Sequence, residues 1–418
     1  MRIAIFLMWI TPLFAQAQNP LTIEMCHELA RNNYPLINQK QLIEKSTEYS
    51  IANIKSGQLP QISINAQATY QSDVTQIPIS VPGFDIDPLS KDQYKIYGEV
   101  SQSLYDGGMV KGQKSLTETK ARVDDQQLEI ELYKIKERIN QLYFGILLVD
   151  EQTAQIKLLQ GDLERNIKRA EAAVKNGTAF KMSVELLQAE NLKATQRIIE
   201  AQSMREAYIT MLGYFINQPL DENTMLTRPT VLTFDDQPVL SRPELTLFNY
   251  QQELLGAQYE LGKTKTLPRV GLFLQGGYGK PALNQLKNEF DTYYLGGIRL
   301  NWSLSGFYNS KRDKQLRDLN LQQVNAQKET FEFNTTLLTT QQKQELNKLN
   351  KLIEVDDKII ALRTSIKTAA EAQQENGVIT TNDYLRELNA EDQAKQNRLL
   401  HEMQLLMALY AYQNTIGN

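Results

Sequence analysis

The chain has 418 residues, of which 41% are apolar and 22% charged, and its net charge is −4. A chain of this size and composition can bury a core, and its slight acidity argues against nucleic acid as a partner. Because it holds a single cysteine, an intrachain disulfide bond is excluded.

Residues 1–17 predict a secretory signal peptide. Arg2 supplies the positive charge, residues 3–14 are mostly apolar, and Ala15-Gln16-Ala17 has the small-x-small pattern of a cleavage site. An ordinary buried N-terminal segment is the alternative. Beyond this segment the longest apolar run, Phe144 to Val149, has six residues, whereas a transmembrane helix needs about 20. If the mature chain crosses a membrane, we expect it to do so with strands.

The mature chain opens on a predicted helix. Thr22 is a suitable N-cap, the apolar pattern continues to Ile51, and Pro35 predicts a break within it. Cys26 lies in this helix, and the residues before it lack the small side chain expected beside a lipidated cysteine. We therefore interpret Cys26 as an ordinary helix residue.

After Pro60 the apolar period changes from that of a helix to that of a strand. From Gln61 to Gln71 apolar and polar residues alternate, and a second alternating segment runs from Tyr94 to Leu104, with Gln102 interrupting its apolar face. Alternation over about 9–11 residues is typical of strands in a transmembrane barrel. A soluble antiparallel hairpin with one wet face is the alternative. The residues predicted to face lipid in the first strand are Ile62, Ile64, Ala66, Ala68 and Tyr70.

Each pair of strands is followed by a long heptad pattern. In the first, apolar residues keep four-three spacing from Leu128 to Val174, and Asn176-Gly177 predicts a left-handed turn. The second extends from Phe307 to Asn376 without glycine or proline, has an apolar seam from Leu352 to Ala369, and meets Gly377. Both patterns predict long coiled-coil helical hairpins, with tips at 176–180 and 376–380.

The second half of the chain repeats the first. Pro35, Pro60 and Tyr70 recur 208 residues later, and Asn176-Gly177 recurs 200 residues later. We therefore predict two repeats, 18–216 and 243–418, whose β-hairpins cover 60–105 and 268–304, joined by a proline-rich connector at 217–242. The residues predicted to face lipid in the second hairpin are Leu272, Leu274, Ile298, Leu300 and Trp302.

The predicted fold is mainly α with a membrane β part. Four strands cannot close a transmembrane barrel, since known barrels start at eight strands, so closure requires several copies of the chain.

The order of these elements resembles the TolC-like outer-membrane efflux proteins over nearly the whole mature chain. The stretch from Leu21 to Pro35 is similar to the typical start of that family. Leu59-Pro60 and Leu267-Pro268 are similar to its strand beginnings, and residues 104–108 are similar to the segment after its second strand.

The resemblance implies a homotrimer in the outer membrane of a Gram-negative bacterium, with a 12-stranded barrel in outer-membrane lipid and a long α-helical barrel in the periplasm. It implies export, with a periplasmic adaptor and an inner-membrane transporter as partners. Small-molecule efflux is favoured over type I protein secretion, because such ducts serve more pumps than secretion systems. We expect adaptor contact at the two tips, through Asn176, Gly177, Thr178, Asn376, Gly377 and Val378.

The resemblance also implies a pore gate just beyond the second tip. The family places an acidic residue six positions after the tip glycine, which here is Asp383, and another three positions further on, where this chain has Arg386. Ser183 holds the equivalent place in the first repeat. The alternative is that Asp383 caps a helix beginning near Tyr384, and that Ser183 does the same for its own helix.

The sequence holds no pattern that indicates an enzyme, a cofactor or a metal site. His27 and His401 are isolated in helical stretches, and Gly276-Gly277-Tyr278-Gly279 lies in a strand pattern rather than before a helix, so it is not a dinucleotide loop. A periplasmic coiled-coil scaffold and a secreted adhesive coiled-coil protein are the alternatives of other classes. The scaffold does not need four alternating segments of bilayer length, and the adhesive protein does not need a duplication with matching hairpins.

Overall fold

We describe a computed structural model of the protein, which covers residues 20–75, 89–229 and 239–417. The predicted signal peptide, most of the loop between the first two strands and residues 230–238 of the predicted connector lie outside these residues.

The described residues form seven α-helices, four strands and three short 3-10 helices. The helices are α1 (Ile23–Asn33), α2 (Asn38–Ser56), α3 (Met109–Lys175), α4 (Lys181–Ile216), α5 (Pro243–Lys263), α6 (Ser310–Glu375) and α7 (Thr381–Ile416). The strands are β1 (Gln61–Tyr70), β2 (Asp92–Tyr105), β3 (Arg269–Lys280) and β4 (Asp291–Asn301).

The first helices form where capping and proline chemistry place them. Thr22 is the N-cap of α1, and its side chain accepts a hydrogen bond from the Met25 backbone nitrogen at 3.3 Å. A short 3-10 helix at Pro35–Ile37 separates α1 from α2, because proline cannot donate the backbone hydrogen bond of a continuous helix. Cys26 lies in α1, as predicted. It is buried there, and burial raises the pKa of its thiol to about 12.

The four strands form one antiparallel sheet in the order β1-β2-β3-β4. Gln61 pairs with Ser101 in the first hairpin, and Arg269 pairs with Asn301 in the second. These pairs are related by the offsets that the sequence shows, 208 residues for the first strand and 200 for the second. The two hairpins therefore have the same internal register.

The chain divides into two compact units, and each contains segments from both sequence repeats. One unit comprises Met1–Ile37, Ile130–Arg242 and Glu332–Asn418, as far as these are described, and is helical. The other comprises Asn38–Glu129 and Pro243–Phe331 and contains the sheet.

The core of the helical unit follows the heptad pattern of α3. The buried seam residues of α3 include Leu132, Ile135, Ile139, Leu142, Ile146, Val149, Ile156 and Leu163. Leu187 of α4 and Tyr384 and Leu388 of α7 continue this core near the tips. The predicted seam of α6 differs, because Val355, Ile359, Leu362 and Ile366 are exposed.

Among the described residues, no helix has both the length and the apolar character needed to span a bilayer.

Candidate functional site

The sheet presents one continuous apolar face. Directly opposite residues of antiparallel strands lie on the same face, and the register pairs Ile62 with Val100, Val100 with Leu274, and Leu272 with Ile298. The predicted lipid-facing residues of β1, β3 and β4 therefore share one face, and Trp302 follows β4 at the same alternation.

No described residue covers this apolar face. Ile64 is 79% exposed and Ile298 is 72% exposed, values far from those of a core. Trp302 is exposed as well, and its indole nitrogen donates a 3.0 Å hydrogen bond to the Thr266 carbonyl oxygen. Gln102, which interrupts the pattern, donates its amide to the Gln58 carbonyl oxygen at 2.7 Å. An exposed apolar patch of this extent indicates an interaction surface.

The opposite face of the sheet is polar and carries a charge network that the sequence analysis missed. Glu99 on β2 accepts hydrogen bonds from Gln275 on β3 at 2.5 Å and from Arg299 on β4 at 3.4 Å. The Arg299 guanidinium lies 4.5 Å from the centre of the Phe273 ring. Pairing across three strands depends on the register, which composition alone does not reveal.

Both outer edges of the sheet are open. Among the described strands, β1 pairs only with β2, and β4 pairs only with β3. An open edge exposes a row of backbone donors and acceptors that can pair with another strand.

The two tips have the same backbone geometry. At the first, Thr178 N donates to the Ala173 carbonyl oxygen at 2.9 Å and Gly177 N donates to the Val174 carbonyl oxygen at 3.0 Å. These two bonds form a Schellman motif, which requires a left-handed residue. Gly177 supplies it with φ +74°, and Gly377 does so at the second tip with φ +73°.

Exposed side chains follow each tip glycine. Thr178 and Asn176 are exposed at the first tip, and Asn376 and Val378 at the second. The apolar side chains there stand out, since Phe180 is 82% exposed and Val378 is 71% exposed. The predicted adaptor residues thus lie on two accessible turns of equal construction.

The two tips differ in how the next helix begins. Thr380 is the N-cap of α7 and forms a capping box: its hydroxyl oxygen accepts from the Asp383 backbone nitrogen at 3.2 Å, and the Asp383 carboxylate accepts from the Thr380 backbone nitrogen at 3.2 Å. The Thr380 hydroxyl also lies 2.7 Å from that carboxylate and donates to it. The helix begins at Thr381, three residues before the predicted start near Tyr384, so Asp383 occupies its third position rather than the cap itself. The hydrogen bonds from Thr380 and the nearby charge of Arg386 lower the pKa of Asp383.

The prediction that Ser183 also caps its helix is wrong. Phe180 is the N-cap of α4, and no described side chain bonds to this helix start, while the Ser183 backbone nitrogen donates to the Phe180 carbonyl oxygen at 3.0 Å. Arg386 donates to Glu387 at 3.0 Å.

Behind the tips, polar groups link the two helical hairpins, and the sequence analysis did not identify them; of these, Asn166 and Tyr384 are buried. Lys367 on α6 lies 3.2 Å from Asp162 on α3. Asn166 on α3 donates to the Tyr384 hydroxyl at 2.8 Å, and burial raises the pKa of that tyrosine. Arg169 also pairs with Glu371 at 3.0 Å.

The two histidines are partnered rather than isolated. His27 lies 2.7 Å from the Asn140 side-chain oxygen, and burial lowers its pKa. His401 Nδ1 lies 2.6 Å from Asp356 Oδ2. Within the described ranges, no group of three or more histidine, cysteine or acidic side chains could hold a metal ion.

Neither known sequence families nor characterised protein sequences match this chain. Solved structures do. The outer membrane protein VceC of Vibrio cholerae matches with a TM-score of 0.67 at 12% identity, over 95% of this chain and 96% of VceC. CusC, which forms a transmembrane channel, matches with a TM-score of 0.67 at 12% identity, over 95% of this chain and 92% of CusC. The outer membrane channel MtrE of Neisseria gonorrhoeae, in its open state, matches with a TM-score of 0.65 at 14% identity, over 95% of this chain and 89% of MtrE.

This chain has the TolC-like outer-membrane channel fold. The matches extend over nearly the whole length of this chain and of each solved structure, so the TolC-like fold includes the sheet, the tips and the long helices. At this identity the likeness concerns the fold alone.

Proposed function

We propose that this protein is the outer-membrane exit duct of a tripartite efflux system. The observation that carries the proposal is the sheet, which has one uncovered apolar face, one polar face and two open edges. In a bilayer every backbone donor and acceptor must be paired within protein, so such a sheet is stable only in a closed ring. Three copies close a ring of 12 strands, with the apolar face toward outer-membrane lipid and the polar face toward water.

The helical unit supplies the periplasmic part of the proposed duct. Its two tips present exposed, matching turns at Gly177 and Gly377, which suit contact with a periplasmic adaptor and, through it, an inner-membrane transporter. The TolC-like fold and the exposed Phe180 and Val378 support this assignment. Small molecules are the proposed cargo, since the transporter selects the substrate and the duct need only provide a water-filled path.

Cysteine labelling in intact membranes tests the facing of the sheet. Ser63 and Ile64 are neighbours on β1 and point to opposite faces. In a Cys26→Ala background, Ser63→Cys should react with a membrane-impermeant, water-soluble thiol reagent, and Ile64→Cys should react only with a lipid-soluble one. Equal labelling of both positions by the water-soluble reagent contradicts the barrel.

A charge on the lipid face provides a second measure. Ala66 lies midway along β1, and Ala66→Arg should weaken the assembled barrel by about 2–4 kcal/mol, the cost of Arg near a bilayer midplane. Asn65→Arg, one residue earlier and on the water face, is the matched control. Outer-membrane fractionation and heat-modifiable mobility of the oligomer report the outcome. A soluble periplasmic location for the wild-type protein rejects the duct.

A further inference from the structure

Glu99 and Arg299 occupy equivalent places in the two repeats. Gln61 pairs with Ser101 and Arg269 pairs with Asn301, so the register relates each residue of β2 to the residue 200 positions later on β4. By this relation Glu99 corresponds to Arg299. The duplicated strands therefore carry opposite charges at equivalent positions of the two repeats.

The two charges already meet across β3. Glu99 pairs with Gln275 in the register, and Arg299 Nη1 reaches Glu99 Oε1 at 3.4 Å. The Glu99 side chain is only 15% exposed, whereas that of Arg299 is 54% exposed. Glu99 is thus largely enclosed, while more than half of the Arg299 side chain, on the edge strand β4, is accessible to solvent.

A closed ring creates a second contact of the same kind, and this step rests on the proposed function. In the ring β4 of one copy meets β1 of the next, and that junction repeats the β2–β3 junction within the chain. The β2–β3 register pairs Glu99 with Gln275 and Gly98 with Gly276. Transferred by the repeat offsets, it pairs Arg299 with Gln67 of the partner subunit and Ile298 with Ala68 of the partner subunit.

We propose that β4 pairs with β1 of the next copy in this register and that Glu99 and Arg299 alternate as a ring of six charges around the water-filled lumen. Each Arg299 lies between its own Glu99, across β3, and Glu99 of the partner subunit, across that subunit's β1. Charge complementarity and the internal repeat select a second copy of this chain as the occupant of the open edges.

The register is testable because a slip has a definite cost. A slip of one residue would turn the apolar face of β1 toward water, so a slip of two is the nearest competitor. On the lipid face the proposed pairs are Ala68 with Ile298 and Ala66 with Leu300, always between copies. A slip of two residues would instead pair Ala66 with Ile298 or Ala68 with Leu300.

Disulfide formation between copies distinguishes these registers. In a Cys26→Ala background with oxidant present, Ala68→Cys/Ile298→Cys and Ala66→Cys/Leu300→Cys should give covalent trimers on non-reducing gels. Ala66→Cys/Ile298→Cys and Ala68→Cys/Leu300→Cys should not. Cross-linking of the slipped combinations, or of all four equally, overturns the register.

Exchange of the two charges tests the ring itself. Glu99→Arg and Arg299→Glu each place six like charges at one level, so each should lower the temperature at which the oligomer dissociates. The double exchange restores alternation and should recover that temperature. A double variant no more stable than the single ones overturns the ring.

Ion selectivity provides a further test, because it should not change if Glu99 and Arg299 only stabilise the sheet. The complete ring has no net charge, so removal of one sign exposes the other. In planar bilayers Arg299→Gln should shift the reversal potential toward cation selectivity, and Glu99→Gln should shift it toward anion selectivity. Shifts of the same sign, or none in assembled channels, overturn the ring.

These outcomes are distinct from failure of the proposed function. If the wild-type protein forms no membrane oligomer, no pair cross-links and both proposals fall. If the oligomer forms, inserts and conducts but the slipped pairs cross-link, only the register and the ring are rejected.

Discussion

The long helices α3 and α6 have nearly the same length, 67 and 66 residues, and the same place in the two repeats, yet they use their faces differently. The inward face of α3 is apolar, with Ile156 and Leu163 buried in the core. The equivalent residues of α6 are Asp356 and Arg363, which bond to side chains of α7.

The apolar seam of α6 therefore lies on a different face, and that face is uncovered. Leu362 is 67% exposed in the single chain. A duplicated heptad pattern thus predicts a helix in each repeat but not the partner of its apolar stripe. In α3 the apolar stripe packs against helices of the same chain. In α6 we infer that the apolar stripe packs against another copy of the chain.

We expect the largest loss of folding stability from truncating a buried side chain in the apolar seam of α3. Leu163 is fully buried, and Leu163→Ala should destabilise the helical unit by about 2–5 kcal/mol through lost burial and the cavity left behind. Guanidinium denaturation followed by circular dichroism measures the change. The matched control is Leu158→Ala, on the same helix and 68% exposed. If the two variants unfold at the same denaturant concentration, the assignment of the α3 core is wrong.

A polar change in the α6 seam should act on assembly instead. Leu362→Gln should leave the helix content of the chain unchanged and weaken the oligomer, because burying a leucine contributes about 1.5–3 kcal/mol. Cross-linking and size-exclusion chromatography with light scattering report the oligomer. Lys351→Gln, exposed and off the seam, should assemble normally. Loss of helix content in Leu362→Gln would mean that the seam has a partner within its own chain.

Much of the fold was predictable, since strand and helix periods are local properties. The predicted start of β1 agrees with the structure, and glycine chemistry fixed both tips. The inward face of α6 could not be predicted. Charged residues along a helix normally indicate a solvent-exposed face, whereas Lys367 and Asp356 of α6 bind side chains on other helices. The Glu99–Arg299 pair was missed for the same reason, since it depends on strands that are distant in the chain.

Substitution of the tip glycines has a smaller expected effect on stability. Gly177 and Gly377 have positive φ, and no described atom lies within 4 Å of an added Cβ, so the cost is backbone strain alone. Gly177→Val and Gly377→Val should each cost about 1–2 kcal/mol and should abolish export while the barrel remains inserted. Asparagine tolerates the left-handed region, so Gly177→Asn and Gly377→Asn are the controls. Normal export from both valine variants would remove the tips from the proposed adaptor contact.

We expect the smallest loss of stability from changes in the capping box of α7. These changes distinguish the two roles considered for Asp383, helix capping and the pore gate. Thr380→Ala removes the N-cap and should cost about 1 kcal/mol, and Asp383→Asn removes the other half of the capping box. Because the pKa of Asp383 is below its ordinary value of 3.8, its contribution to stability is present above that value and is lost as the pH falls through the lower pKa of the folded state. Both variants should therefore lower the melting temperature at neutral pH. The acid-dependent loss should be full in wild type, smaller in Thr380→Ala, which lacks the hydroxyl that donates to Asp383, and absent in Asp383→Asn.

Conductance then decides whether the carboxylate also narrows the pore. If Asp383 is a gate residue, Asp383→Asn should reduce cation selectivity and block by multivalent cations, because three carboxylates near one axis attract cations. Thr380→Ala keeps the charge and should leave both unchanged. If the two variants alter conductance equally, the first turn of α7 matters through its position alone. If neither alters it, Asp383 is only part of the cap.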